Sequence, residues 1–331
     1  MNVGQIVLQL PLDTIQQMKA TYSRAEKPAP PGAIFSAKTP SCSITAYKSG
    51  KVLFQGKSPE TEADKWGSAP SGPKKPPGPK AGVKDHTHPG HKGPAGLKPS
   101  VNDHRYAPAP ALFTSSHIGS DEAGTGDFFG PITVASVYVD QSQFALLKEL
   151  GVKDSKLLKD DAIQRIAKDL MQVELPYSLL VMRNERYNQL QQRGWSQGKM
   201  KTMLHHHAIQ KLLAKIDPTK PDGILIDQFQ LPSTYIKHLA TEGEKLQQNV
   251  SFMTKAESHS LAVAAASIIS RASFVREMDK LSKQAGFTIP KGASAAVDQA
   301  AGRLIRTHGR QALPVFTKMH FANSAKAEKF V

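Results

Sequence analysis

The chain has 331 residues, a single cysteine, and 43 Lys and Arg against 28 Asp and Glu, a formal net charge of +15. That length accommodates two domains, the lone Cys42 excludes an intrachain disulfide and fits a reducing cytoplasm, and the positive excess favours a polyanionic partner, nucleic acid ahead of acidic membrane. No stretch approaches the roughly 20 apolar residues of a membrane span, and no basic region precedes an apolar one near Met1, so neither a transmembrane helix nor a signal peptide is expected.

Residues 3–10 read as a strand, after which Leu12, Ile15, Met18 and Tyr22 recur at helical spacing until the proline-rich run 28–32 breaks the helix. Residues 33–38, 42–47 and 51–55 read as three short strands, with Lys48-Ser49-Gly50 a hairpin turn between the last two. Residues 59–66 read as a short helix capped by Ser58. The order β-α-β-β-β-α predicts a small α+β module over residues 1–66, a sheet backed by helices. Lys38, Lys48, Lys51 and Lys57 lie on or near its strands and form either a basic face that grips a nucleic-acid backbone or an ordinary solvated face.

Residues 67–110 are rich in Pro, Gly and Lys and nearly free of large apolar side chains. They cannot bury enough surface to fold and are expected to be a disordered, partly extended tether. Lys74, Lys75, Lys80, Lys84, Lys92 and Lys98 make it basic and add nonspecific attraction to phosphates. His86, His88 and His91 lack the Cys or acidic cluster that would complete a metal site.

From residue 111 to 331 the pattern is that of an α/β domain with a mixed sheet: hairpin-linked strands first, then strands alternating with helices. The strands are expected over 117–123, 132–139, 175–182, 223–227 and 250–253, and the helices over 144–150, 160–171, 187–192, 199–216, 258–285 and 294–308. Gly223 to Asp227 is wholly apolar until its final carboxylate, as in a strand buried on both faces. The helix from 258 opens on Ala and other small residues and so can lie close against the sheet. His205-His206-His207 cannot chelate together, because consecutive helical residues point in different directions; with Lys199 and Lys201 they read as a basic, nucleic-acid-facing or merely solvated helix face.

Four acids stand where strands end or helices begin: Asp121, Glu122, Asp227 and Glu257. Buried carboxylates are costly unless something positive joins them, and an oxygen-only set without His or Cys favours Mg²⁺ or Mn²⁺ over zinc. Two such ions activate a water and stabilise the leaving oxygen of a phosphodiester. Asp121 and Asp227 meet if their strands are parallel neighbours. Adjacent strand residues face opposite ways, so Asp121 and Glu122 share a site only where the strand twists or ends, which Gly124 permits. Taken singly, Asp121-Glu122 reads as a solvated turn, Asp227 as a helix cap and Glu257 as a first-turn acid; the case rests on the set. In Lys153-Asp154-Ser155-Lys156, Asp154 or Ser155 caps a helix and Lys156 reaches toward a phosphate.

The stretch Gly119-Ser120-Asp121-Glu122-Ala123-Gly124-Thr125-Gly126-Asp127-Phe128-Phe129-Gly130-Pro131 resembles the first motif of the type 2 ribonucleases H, and its Gly-Thr-Gly-Asp with following aromatics resembles the bacterial HIII branch rather than HII. Asp154-Ser155-Lys156, Leu225-Ile226-Asp227-Gln228-Phe229, Thr254-Lys255-Ala256-Glu257-Ser258, Ala264-Ala265-Ala266-Ser267-Ile268-Ile269, Pro290-Lys291-Gly292-Ala293-Ser294 and Lys318-Met319-His320-Phe321 follow in family order. The N-terminal module is similar to the TATA-binding-protein-like domain that HIII enzymes carry. The resemblance implies an RNase H-like fold and Mg²⁺- or Mn²⁺-dependent endonucleolytic cleavage of the RNA strand in RNA/DNA hybrids, with no small-molecule cofactor. It also implies Asp121, Glu122, Asp227 and Glu257 as metal ligands, Asp121 bridging. Gly124, Thr125 and Gly126 are implied to contact the minor groove and sense 2′-OH groups, with Ser155 and Lys156 on the nucleic acid. The Pro/Lys-rich tether is longer than is usual in the family. The rival readings are cleavage at single ribonucleotides in duplex DNA, as HII enzymes perform, and a noncatalytic nucleic-acid-binding protein, for which decayed carboxylates would be expected.

Overall fold

Alternating apolar residues in the first sixty positions build a sheet with one packed face in the computed structural model, which describes residues 4–30, 33–67, 105–153, 155 and 158–331. The chain divides into two compact units, one within the first 105 residues and the other from Tyr106 to Val331.

The smaller unit contains β1 (Gly4–Gln9), α1 (Leu12–Thr21), β2 (Glu26–Lys27), β3 (Ala33–Lys38), β4 (Cys42–Tyr47), β5 (Lys51–Gly56) and α2 (Glu60–Ala63). Its strand order is β1-β5-β4-β3-β2. Leu8, Phe35, Ile44, Val52 and Phe54 pack with Ile15 and Met18 of α1. The residues alternating with them carry a polar and basic surface: Gln9 lies abreast of Lys51, Ser43 abreast of Gln55, and Lys27 Nζ donates to Ser43 Oγ at 3.3 Å. Two details differ from the sequence reading. The short strand β2 is added at the sheet edge, and α2 is not capped by Ser58: Pro59 stands at that position and offers no side-chain acceptor. The tether expected at 67–110 falls mostly on residues 68–104, outside the described residues, together with His86, His88 and His91.

The larger unit contains β6 (His117–Ala123), β7 (Ile132–Val139), α3 (Phe144–Glu149), α4 (Asp160–Gln172), β8 (Tyr177–Met182), α5 (Asn184–Gln192), α6 (Gln197–Ile216), β9 (Gly223–Asp227), α7 (Pro232–Ala240), β10 (Val250–Met253), α8 (Leu261–Ala285), α9 (Ala295–His308), α10 (Leu313–Phe316) and α11 (Asn323–Lys326). The sheet runs β10-β9-β6-β7-β8, with β6, β7 and β8 an antiparallel meander and β9 and β10 parallel to β6. Helix α8 covers one face and α6 the other. Gly119 permits the close approach of α8, since a Cβ there would stand 2.1 Å from the Val263 backbone nitrogen. The sequence pattern does not show α7, whose start is set by Pro232 in its first turn.

Candidate active site

Along β6 the side chains alternate between the two helical layers. His117 Nε2 lies 2.7 Å from Ser260 Oγ at the start of α8, Gly119 touches α8, and Asp121 accepts a hydrogen bond from the Ser267 hydroxyl of α8. Ser120 Oγ lies 2.7 Å from His205 Nδ1, and Glu122 meets His205 and Lys201, all on α6. Asp121 and Glu122 thus leave the strand on opposite faces.

The parallel pairing of β6 with β9 sets Ser120 opposite Ile226; carried one residue further it sets Asp121 abreast of Asp227 at the strand ends. Asp227 Oδ1 accepts from Ala256 N at 2.9 Å, which orients it from the turn after β10. A cavity of about 280 Å³ opens here, lined by Asp121, Glu122, Gly124, Thr125, Gly126, Ser155, Asp227, Ser267 and Arg271 among others. Gly124 has φ +87°, and a Cβ on it would meet Pro131 O at 2.2 Å, so glycine is required where the chain leaves β6. Thr125 Oγ1 is buried with no hydrogen-bond partner among the described residues. Ser155 is buried, with its Oγ 2.8 Å from Ser267 Oγ.

The electrostatics of the acids differ. Burial, then the charges of Asp227 and Glu122, push the Asp121 carboxyl well above the usual carboxylate range. Burial also acts on Glu122, but the His205 hydrogen bond and charge, followed by Lys201, outweigh it and hold Glu122 below its ordinary value. The distances are 2.9 Å from His205 Nε2 to Glu122 Oε2 and 2.7 Å from Lys201 Nζ to Glu122 Oε1. Glu257 is buried on a short 3₁₀ turn and lines a separate cavity with Lys148, Lys153 and His259. Lys156 lies outside the described residues, as does Asp154.

The structure therefore brings together Asp121, Asp227, the glycine turn and Ser155, and sets Glu122 at the cavity wall turned toward α6. Among the described residues, no group of three or more His, Cys, Asp or Glu side chains is gathered tightly enough to hold an ion as it stands. The pair Asp121 and Asp227 nevertheless fits a divalent cation: two oxygen donors of like charge, one of them raised in pKa by burial first and by the other's charge second, are what such an ion relieves.

Sequence reasoning does not reach Lys201 and His205 as partners of Glu122, nor Ser267 and Arg271 in the cavity. The available signal is spacing: each pair stands four residues apart on a helix, which puts two polar groups on one face. The expectation of a basic or solvated α6 face is overturned, because Lys201, His205 and His206 are buried and only His207 of the three histidines is exposed. His205 stacks on Phe229 at 5.1 Å between ring centroids, and Lys201 Nζ lies 4.0 Å from the same ring.

A family model described as Ribonuclease HII matches residues 118–324, and one described only as a domain of unknown function matches residues 5–77. The ribonuclease HIII of Oceanobacillus iheyensis is 51% identical over 329 residues, covering 99% of this chain and 100% of that one. The chain belongs to the ribonuclease HIII family. A second ribonuclease HIII, from Bacillus cereus, is 52% identical over 325 residues, 98% of each chain. The solved structure of Bst-RNase HIII in complex with Mn²⁺ covers 98% of both chains at 41% identity with a TM-score of 0.65. The α/β larger unit thus has the RNase H-like fold of the ribonuclease HIII family, and the span matched as Ribonuclease HII contains all four candidate carboxylates.

Proposed function

We propose that the chain is an endonuclease that hydrolyses the RNA strand of RNA/DNA hybrids, leaving a 5′-phosphate and a 3′-hydroxyl, with Asp121, Glu122, Asp227 and Glu257 as its metal ligands. The observation that carries the reading is the buried Asp121 abreast of Asp227 beside a glycine turn, in a chain of this family. Mg²⁺ or Mn²⁺ supplies a water of lowered pKa and neutralises charge on the phosphodiester oxygens when bound. Asp121 and Asp227 hold that charge from the α8 face. Glu122, at the wall of the same cavity, and Glu257, on the turn after β10, would complete the ligand set.

The rest of the cavity suits a ribose-phosphate strand. Arg271 donates through Nη1 to Ser155 O and through Nη2 to Asp160 Oδ1, the latter at 3.0 Å, so its guanidinium is fixed at the cavity where a phosphate would lie. The buried Thr125 hydroxyl supplies a partner for a 2′-OH, with Gly124 and Gly126 giving the backbone close access to the minor groove. Ser155 lines the same cavity, and Lys156 is assigned to the nucleic acid on its motif alone. Residues 1–66 act as a substrate-binding module whose polar and basic sheet surface meets the nucleic-acid backbone, 67–110 act as its tether, and 111–331 are catalytic, in the cytoplasm.

The test is a Mg²⁺ cleavage assay on two labelled duplexes, an all-RNA strand on DNA and a DNA duplex with one ribonucleotide, run with Asp121→Asn beside the wild type. Cutting of the first alone, lost in Asp121→Asn while binding persists, is the expected result. Efficient cutting of the second moves the protein to the embedded-ribonucleotide reading, and an active Asp121→Asn refutes the assigned site.

A further inference from the structure

Lys318 is fully buried, and burial pushes its ammonium down to about 7 against the opposing charge of Asp127. Among the described residues it has no carboxylate in hydrogen-bonding contact. Its Nζ donates instead to two backbone carbonyls, Asp127 O at 2.7 Å and Gly130 O at 2.6 Å. A buried lysine is costly where a methionine would fill the same space, so its retention points to the two carbonyls it holds.

Those carbonyls belong to the segment that returns the chain from the glycine turn to β7. The segment is pinned from several sides. Lys318 N donates to Phe128 O at 2.9 Å, Gly130 N to Phe316 O at 3.0 Å, and Phe129 bridges to Thr317. Gly292 N donates to Asp127 Oδ1 at 2.6 Å, and Phe128 N to Gly292 O at 2.9 Å. Phe128 and Phe129 are buried in the core formed with α9 and α10. The turn itself has fewer restraints: Gln197 Nε2 donates to Thr125 O at 3.1 Å, and Gly126 is exposed with open space where a Cβ would stand. The position of Gly124-Thr125-Gly126 is therefore set by its two legs, β6 on one side and the clamped segment Asp127–Gly130 on the other.

We propose that Lys318 is a positioning residue for substrate selection: by holding Asp127 O and Gly130 O it fixes the outgoing leg of the Gly124-Thr125-Gly126 turn, so that the turn meets a ribose hydroxyl in one geometry. The inference rests on the reading that this turn contacts the RNA strand. Lys318 acts through the turn and touches neither substrate nor the acids.

The experiment compares Lys318→Met, which removes the donors, with Lys318→Gln, which keeps two donors without charge, and uses Gly126→Ala as a probe of the turn. Three readouts are taken: KM and kcat on an RNA/DNA hybrid, the ratio of hybrid to DNA-duplex binding without divalent cations, and hydrogen exchange across residues 124–130. Lys318→Met is expected to raise KM about tenfold with kcat within about twofold, to lower the preference for hybrid, and to speed exchange in the segment; Lys318→Gln falls between it and the wild type and serves alone if the Met variant does not fold. Folded variants with wild-type KM and preference overturn the proposal, as does a loss confined to kcat. If Gly126→Ala weakens hybrid binding and the Lys318 variants do not, Lys318 alone is excluded. If Gly126→Ala changes nothing, the turn does not touch RNA and the proposal falls with that reading.

Discussion

Asp121→Asn should stabilise the protein in the absence of divalent cations while removing its activity. In the wild type a buried carboxylate lies abreast of Asp227, and burial together with the Asp227 and Glu122 charges raises its pKa. A carboxyl whose native pKa exceeds its unfolded value binds more protons folded than unfolded between the two. Its contribution is therefore present at low pH and is lost as pH rises from the unfolded value of about 4 through the native one. Asparagine removes that loss and preserves the acceptor that Glu122 N uses at 2.7 Å. Relief of one buried, repelled charge is worth about 1–2 kcal/mol, which for a unit of this size moves the melting midpoint by roughly 2–8 °C. The assay is thermal melting of both proteins from pH 4 to pH 8, with EDTA and then with Mg²⁺ or Mn²⁺. The variant should melt higher at pH 8, the gap should close toward pH 4, and added cation should raise the wild type more than the variant. A wild type that melts at or above Asp121→Asn at pH 8 in EDTA, with no cation-dependent difference, would refute the assignment of Asp121 as an uncompensated ligand.

Deleting residues 1–66 should raise KM for the hybrid by about tenfold or more while turnover at saturation is retained, because a tethered module contributes effective concentration; unchanged affinity would remove that role from the module. Lys201→Met should destabilise the larger unit by about 2–3 kcal/mol in chemical denaturation, since both partners of the pair with Glu122 are largely buried and only His205 is left to meet the charge. An unchanged midpoint would mean that Glu122 is solvated in solution.

Periodicity alone specified most of the architecture. β9 (Gly223–Asp227) and β10 (Val250–Met253) stand on the residues expected of them, because short apolar runs ending in Asp or Thr have no other good burial. Strand-end placement and the family resemblance pointed to Asp121, Glu122, Asp227 and Glu257 with the Gly124-Thr125-Gly126 turn as one group, whereas Glu257 lines a separate cavity from Asp121 and Asp227. Which acids converge could not be read from spacing: the parallel register of β6 on β9 joins Asp121 to Asp227 across about a hundred residues, while strand alternation turns Glu122 to the opposite layer. The histidine run of α6 shows the same division. Its sequence gives three adjacent polar rings on a helix, and only packing decides that His205 is buried against Phe229 and Glu122 while His207 is exposed. Lys318 is the extreme case, a lysine whose composition predicts solvent and whose position is set by two carbonyls in a loop 188 and 191 residues earlier in the chain. Local sequence determines the hydrophobic period and the turn chemistry of each element, because those depend on neighbours within a few residues. The partners of a buried charge are supplied by distant segments, so only the tertiary structure decides them.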